Sequence, residues 1–247
     1  MIDIHTHILP GIDDGAPDFE ETLRMARRAW RDGIRDMIAT PHRWWDDREN
    51  GWDMVQALSM EITERLSETD APIRVTPGTE VPTRPEVLDL LHAGRLPTLG
   101  SSRYILLEPP FTGIPPGMKG FVEAILGAGY QIVLAHPERC RTLQSEPESL
   151  DDFLPREMAI QVTSHSILGM FGEPARIAAM ALLRSGRPIV IASDTHNSTR
   201  RPPELRQAVG IAATVVGAPY AEETVTSLPR ALLEDARVWP PPGAGRP

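Results

Sequence analysis

The sequence predicts an α/β fold in which seven short strands alternate with helices and the functional residues gather at the C-terminal ends of the strands. Three observations carry that expectation. Short runs of β-branched and apolar residues alternate with longer segments whose apolar residues recur at helical period. Six of the seven expected strands end in His, Asp or Glu, and in a parallel β/α barrel those ends converge on one face. The length of 247 residues fits one large domain, read here as residues 1–239 with a Pro/Gly-rich tail over 240–247 that is expected to be disordered.

The elements follow in order. Met1-Ile2-Asp3-Ile4 reads as a strand and runs into His5-Thr6-His7. Alternate residues of an extended chain point the same way, so His5 and His7 aim two imidazoles at one point. Asp18 and Glu21 have capping-box spacing, Leu23, Ala26 and Trp30 recur at helical period, and Gly33 ends that helix. Ile34 to Ala39 is a second strand ending in Thr40-Pro41-His42, followed by a polar loop with Trp44-Trp45. Val55, Leu58, Ile62 and Leu66 share a helix face, and Ile73 to Thr76 is a third strand leading to Glu80. A short helix over Pro85 to Ala93 precedes a fourth strand, Tyr104 to Leu107, that ends at Glu108. Met118 to Leu126 is a helix, and Gln131 to Ala135 a fifth strand ending at His136-Pro137-Glu138-Arg139. Met158 to Val162 is a sixth strand and Pro174 to Ser185 a helix. Pro188 to Ala192 is a seventh strand ending at Asp194-Thr195-His196, and helices over Pro203–Val216 and Leu228–Asp235 close the pattern.

Composition narrows the classes. A net charge of −9 argues against broad nucleic-acid or anionic-membrane binding. No apolar run is long enough to span a membrane and no secretory leader is recognisable, so the chain reads as cytoplasmic. The lone Cys140 excludes an internal disulfide. A cysteine phosphatase would need an arginine six positions beyond its cysteine, where this chain has Glu146. There is no Gly-x-x-x-x-Gly-Lys-Ser/Thr loop and no Gly-x-Ser-x-Gly elbow. The only lysine, Lys119, falls on a helix rather than at a strand end, which disfavours a carbamylated-lysine bridge.

Five of the seven histidines lie at strand ends; His92 and His165 do not. Any one of these residues, taken singly, is better explained by a satisfied polar group at a strand terminus. Together, imidazoles and carboxylates without clustered cysteines suit Mn²⁺, Fe²⁺ or Zn²⁺ in a catalytic rather than a closed structural site. They are too many for one ion, so two or three ions sharing a carboxylate are expected, an arrangement that serves displacement at phosphorus. Arg139, just past His136, and Arg206, at the start of a helix after His196, are the candidate phosphate ligands.

At this point the motifs resemble a known family. Asp-Ile-His-Thr-His-Ile-Leu-Pro-Gly-Ile-Asp-Asp-Gly, Ala-Thr-Pro-His42, Pro-Gly-Thr-Glu80, Leu-Leu-Glu108, His136-Pro-Glu-Arg139 and Ser-Asp194-Thr-His196 look like the polymerase-and-histidinol-phosphatase (PHP) superfamily. Within it they resemble the CpsB/CapC-type manganese-dependent protein-tyrosine phosphatases of bacterial capsule and exopolysaccharide operons, from residue 1 to about 217. The resemblance implies a distorted seven-stranded, TIM-like β/α barrel and a trinuclear site. His5, His7, Glu80 and Asp194 would hold one ion, Glu80, Glu108 and His136 a second, and Asp14, His42 and His196 a third. Arg139 and Arg206 would bind phosphate. A hydroxide bridging the ions would attack phosphorus directly, and the substrate would be a phosphorylated bacterial tyrosine kinase. The Thr163-Ser164 pair stands where an asparagine-containing stretch is expected. A PHP phosphoesterase acting on histidinol phosphate or a nucleotide is the alternative on the same scaffold, and an inactive regulatory module a more distant one. Trp44, Trp45 and Trp52 lie near the expected mouth, with loop packing the favoured role. Sequence leaves the oligomeric state open.

Overall fold

The structure is a computed structural model and describes residues 1–42 and 51–236. Trp44, Trp45 and the tail from 240 lie outside the described residues. In chain order the first half comprises β1 (Ile2–Thr6), α1 (Phe19–Asp32), β2 (Asp36–Ala39), α2 (Trp52–Ser67), β3 (Arg74–Pro77), β4 (Glu80–Pro82), α3 (Glu86–His92), β5 (Tyr104–Glu108) and α4 (Met118–Gly127). The second half comprises β6 (Gln131–Ala135), α5 (Arg141–Ser145), β7 (Ala159–Thr163), α6 (Ser164–Ile167), α7 (Glu173–Leu183), β8 (Ile189–Ala192), α8 (Arg206–Val216), α9 (Ala218–Glu223) and α10 (Ser227–Leu233). Two 3₁₀ turns, Pro137–Arg139 and Pro147–Asp152, flank α5.

Among the described residues every strand pairing is parallel, but the strands are eight in two sheets rather than the expected seven. One sheet runs β1-β2-β3 and the other β4-β5-β6-β7-β8. The additional strand arises where the third expected one is broken by Gly78-Thr79. A Cβ at Gly78 would lie 2.9 Å from the Ile38 side chain and 3.2 Å from the Ala39 carbonyl. Only glycine lets the chain hug β2 there and restart as β4, with Glu80 as its first residue. The two sheets touch at both edges. Isolated parallel bridges join Thr6 to Thr195 and His42 to Glu80, and Asp194 N–H donates to the His5 carbonyl at 2.9 Å.

Strands β1, β2 and β5 to β8 are buried on both faces over most of their length, as parallel strands usually are, whereas β3 is half-exposed. Ile105, Leu107, Ile132, Leu134, Ile189 and Ile191 pack into the larger cluster with the helices. Their alternates Leu106, Val133, Val190 and Ala192 join Ile2, Ile4 and Ile38 of the other sheet in a second, inner cluster. Both sheets therefore enclose one apolar centre, and the polar strand ends sit at its C-terminal rim.

β1 changes parity as it approaches that rim. Asp3 pairs with Met37 and Thr6 with Ala39, three steps on β1 against two on β2. The extra residue is a bulge. Ile2 and Ile4 face the inner cluster, while His5 and His7, instead of Thr6, turn toward the centre. Thr6 Oγ1 donates to the Ile38 carbonyl at 2.7 Å. Asp3 holds the bulge, accepting from Ser193 N–H and Oγ–H and from His5 N–H. Burial pushes its carboxyl up to about 6, against the pull of those hydrogen bonds.

α1 begins as expected, with the Asp18 carboxylate accepting from Glu21 N–H at 2.9 Å and Gly33 closing it at φ 101°. The capping box is only half used. The Glu21 carboxylate does not close it; it accepts from Ser198 N–H at 2.6 Å, tying down the loop after His196.

Candidate metal centre

All nine sequence-predicted ligands meet at the strand ends. His5 is on β1 and His7 just past it; Asp14 is in the following loop and His42 just past β2. Glu80 opens β4, Glu108 ends β5, His136 follows β6, and Asp194 and His196 follow β8. Among the described residues their donor atoms form four overlapping groups: His7/Asp14/His42/His196, His5/His7/Glu80, His5/His136/Asp194 and His42/Glu80/Glu108. Glu80 is the hub. Its Oε2 lies 3.3 Å from His5 Nε2, 3.7 Å from His7 Nε2 and 2.9 Å from His42 Nδ1, and its Oε1 lies 2.9 Å from His136 Nε2.

Two features test whether this set fits cations. His5 Nε2 and His7 Nε2 are buried without a hydrogen-bond partner, a costly state for polar atoms unless something binds them. The four imidazole–carboxylate separations between His5 and His7 on one side and Glu80 and Asp194 on the other are 3.3 to 3.7 Å. Four ligands held tetrahedrally at about 2.1 Å from an ion stand about 3.4 Å apart. The residues fit.

The electrostatics agree. Burial opposes charging His5, but Glu80 and Asp194 beside it outweigh this and raise its pKa. Burial opposes charging His7 too, and Asp13 and Asp194 outweigh it. Glu80 and Asp194 are held well below the usual carboxylate range, burial being overcome by the surrounding imidazoles. Burial and the charge of Glu80 push Glu108 up to about 7, and burial takes His136 down to about 4. Protein groups alone satisfy some members of the cluster at the expense of others. A cation among them would favour every carboxylate charged and every imidazole neutral.

Three supports choose which imidazole nitrogen faces the centre. Gln161 Oε1 accepts from His5 Nδ1 and from His136 N–H, each at 3.0 Å. Asp13 Oδ2 lies 2.6 Å from His7 Nδ1 and accepts from His42 N–H at 3.1 Å. His196 Nδ1 donates to the Asp194 carbonyl at 3.1 Å. With Nδ1 protonated, each Nε2 is a free lone pair. Sequence reasoning missed Gln161. The signal was a glutamine inside an apolar strand, on the one strand that ends without a ligand. Two ligands also hold backbone conformations rare for side-chain-bearing residues, His136 at φ 29° and Asp194 at φ 51°, strain of a kind that gathers at functional sites.

Gly15 sets the spacing of the opening motif. A Cβ there would lie 2.1 Å from the His7 carbonyl oxygen and 2.4 Å from His7 Cβ. Gly15→Ala is therefore expected to cost about 2 kcal/mol or more of stability, from overpacking against rigid backbone. Gly120 on α4 has open space around the same position, and Gly120→Ala should be neutral or add up to about 1 kcal/mol. Thermal unfolding of both variants checks this; equal melting temperatures would remove the constraint assigned to Gly15.

Of the two predicted phosphate ligands, Arg139 is at the centre and Arg206 is not. Arg139 Nη1 donates to Asp194 Oδ2 at 2.6 Å, not to Glu138, whose carboxylate turns inward to Thr163 N–H and Ser166 Oγ–H. Arg206 donates through Nε and Nη2 to the Asp32 carbonyl, beside Gly33 and Met1, at the N-terminal end of the strands. The reason is the course of the chain after His196. Ser198 is held by Glu21, Glu204 by Arg28, and the N–H groups of Leu205 and Arg206 by Asp32. From Glu21 to Asp32 the helix descends about 16 Å at ~1.5 Å per residue, and the chain descends with it. Arg201 takes the expected place. Its Nη2 donates to the Asp194 carbonyl at 3.0 Å and also to the Asp194 carboxylate. Asn197 Oδ1 accepts from the N–H groups of Thr199, Arg200 and Arg201, curling the loop so that Arg201 turns back. Arg139 and Arg201 line a recess of about 180 Å³ together with ligand residues and Phe111.

The sequence profile described as capsular polysaccharide synthesis, CpsB/CapC, matches residues 1–234. The chain belongs to the CpsB/CapC family. The tyrosine-protein phosphatase YwqE of Bacillus subtilis (strain 168) is 34% identical over 238 residues, covering 96% of this chain and 91% of that protein. The tyrosine-protein phosphatase CpsB of Streptococcus pneumoniae is 29% identical over 244 residues, covering 95% and 99%. A crystal structure from work on YwqE and CpsB, described as unique metal-dependent tyrosine phosphatases, matches with a TM-score of 0.89 at 34% identity. It covers 96% of this chain and 95% of its own.

Proposed function

We propose that this CpsB/CapC-family chain is a metal-dependent protein-tyrosine phosphatase. Its expected substrate is a phosphorylated bacterial tyrosine kinase that controls capsule or exopolysaccharide synthesis in the cytoplasm. The observation that carries the reading is the gathering of buried imidazoles and carboxylates at ion-ligand spacing beside a recess lined by two guanidiniums. The family membership and the names of the relatives support it. Two or three ions are proposed, Mn²⁺ first and Fe²⁺ or Zn²⁺ as alternatives, on a distorted β/α barrel. His5, His7, Glu80 and Asp194 would hold one, Glu80, Glu108 and His136 a second, and Asp14, His42 and His196 a third. When bound, they supply Lewis-acid stabilisation of the phosphoryl oxygens and a nucleophile at neutral pH.

The chain's own residues do the rest. Arg139 and Arg201 share one acceptor, the Asp194 carboxylate, and both line the recess. Guanidinium forks match the geometry of phosphoryl oxygens and stabilise the charge that develops there. Gln161, Asp13 and the Asp194 carbonyl keep the protons on Nδ1 of His5, His7 and His196, so these rings serve as ligands and not as acids. The leaving group is a phenolate, of ordinary pKa about 10, which departs with less need of a strong general acid than an alkoxide. Cys140 is buried and takes no part, so no phosphoenzyme is expected.

The test is hydrolysis of a tyrosine-phosphorylated peptide by metal-stripped protein, with Mn²⁺, Zn²⁺ or Mg²⁺ restored one at a time. Turnover should depend on added metal and resist thiol alkylation. Turnover on histidinol phosphate or a nucleotide, with none on the peptide, would move the substrate to a small molecule. Undiminished turnover after stripping would overturn the reading.

A further inference from the structure

We propose that Phe111 is the residue that recognises the aryl group of the substrate, stacking on the phenyl ring whose phosphate Arg139 and Arg201 hold; this rests on the function proposed above. Phe111 is 43% exposed, the one aromatic among the large exposed apolar side chains of the described residues. An exposed phenyl ring gains nothing by remaining in water, and this one stands in the wall of the recess that Arg139 and Arg201 line. It lies three residues past Glu108, on a loop stiffened by Pro109-Pro110. The loop is pinned where the Phe111 carbonyl accepts from Arg141 N–H at 2.9 Å. Its ring lies nearly parallel to that of His136, at 5.4 Å between centroids and 21° between planes. The Arg139 guanidinium carbon stands 4.6 Å from the Phe111 centroid and 4.5 Å from that of Phe171.

This placement fixes what the ring can meet. A phosphate within reach of Arg139 and the ligand cluster occupies the floor of the recess. The group esterified to it must leave toward solvent, past the exposed part of Phe111. A planar substituent can lie against the ring there, adding aromatic contact to apolar area, whereas a small alkyl substituent supplies neither. The His136 contact and the double proline hold the ring in place, so little side-chain freedom is lost on binding. Of the tryptophans considered from sequence, Trp52 packs against the core at the start of α2 instead.

The experiment measures Kd for phenylphosphonate, methylphosphonate and inorganic phosphate on Mn²⁺-loaded protein by calorimetry, for the native chain and for Phe111→Ala, Phe111→Leu and Phe111→Tyr. The native chain should prefer phenylphosphonate to methylphosphonate. Phe111→Ala should lose about tenfold in phenylphosphonate affinity, while phosphate and methylphosphonate shift much less. Phe111→Leu should recover part of the loss and Phe111→Tyr nearly all. An equal loss for all three ligands would mean that Phe111 only positions Arg139 and would overturn the proposal, as would an unchanged preference in Phe111→Ala. A native loaded protein that binds neither phosphate nor either phosphonate would remove the phosphatase reading itself, and this inference with it.

Discussion

Glu80→Gln is expected to lower turnover on a phosphotyrosine peptide by about a thousandfold or more and to reduce the number of ions retained on dialysis. The scale is the several kcal/mol that metal ions contribute to charge stabilisation at a phosphoryl centre. Glu80 places its two oxygens within 3.7 Å of four imidazole nitrogens, those of His5, His7, His42 and His136. Among the described residues no other carboxylate has ion-pair contacts to all four. The amide keeps the shape of the carboxylate and its hydrogen-bonding reach, so the fold should persist, with circular dichroism as the control. What it removes is the negative charge that several of these rings lean on. Elemental analysis beside the kinetics decides the matter; full metal content with full turnover would displace Glu80 from the hub.

The second large effect separates two arginines that sequence alone confuses. Arg201→Ala should lower kcat/KM by about 10²- to 10³-fold, the usual cost of removing one donor from a developing oxyanion. Arg206→Ala should stay within about twofold. The contrast follows from the loop that descends α1 between them, leaving Arg201 on Asp194 and Arg206 on the Asp32 carbonyl. Arg201→Lys would keep the charge but lose the fork, and should recover only part of the loss. A large loss in Arg206→Ala with none in Arg201→Ala would reverse the assignment.

These two arginines also mark the boundary of what could be read from the chain. Asp14, in the loop after β1, was legible only through the motif; most of the candidate ligands were legible because they sit at or just past an expected strand end, and apolar runs give strand ends away. Arg139 was legible for the same reason, being in the 3₁₀ turn that directly follows His136. Arg206 was misplaced because nine residues of irregular chain separate it from His196. The direction of that chain is decided by Glu21, Arg28 and Asp32, partners about 170 residues away in sequence. The β1 bulge was invisible for a related reason. Strict alternation already aims His5 and His7 together, so nothing local announces that Ile4 and His5 both face inward. β4 escaped because three residues carry no period. Gln161 and Asp13 were given no supporting role from sequence; those roles exist only once His5, His7 and His136 have been brought beside them.

The seam between the two sheets deserves a last physical consequence. His5, His7 and His42 lie on or just past strands of the three-stranded sheet, whereas Glu80, Glu108 and His136 lie on or just past strands of the five-stranded one. Where the sheets meet, strand pairing gives way to isolated bridges, one of them between His42 and Glu80 themselves, and a few added hydrogen bonds such as Asp194 N–H to the His5 carbonyl. Ions bound among these residues would act as rivets across a joint that backbone pairing barely closes. Whatever binds the folded chain and not the unfolded one stabilises it by RT ln(1 + [L]/Kd), about 4 kcal/mol at a thousandfold excess over Kd. Scarcity of metal in the cell would therefore remove more than activity. It would loosen one sheet from the other and make the abundance of the protein itself follow the supply of its ion.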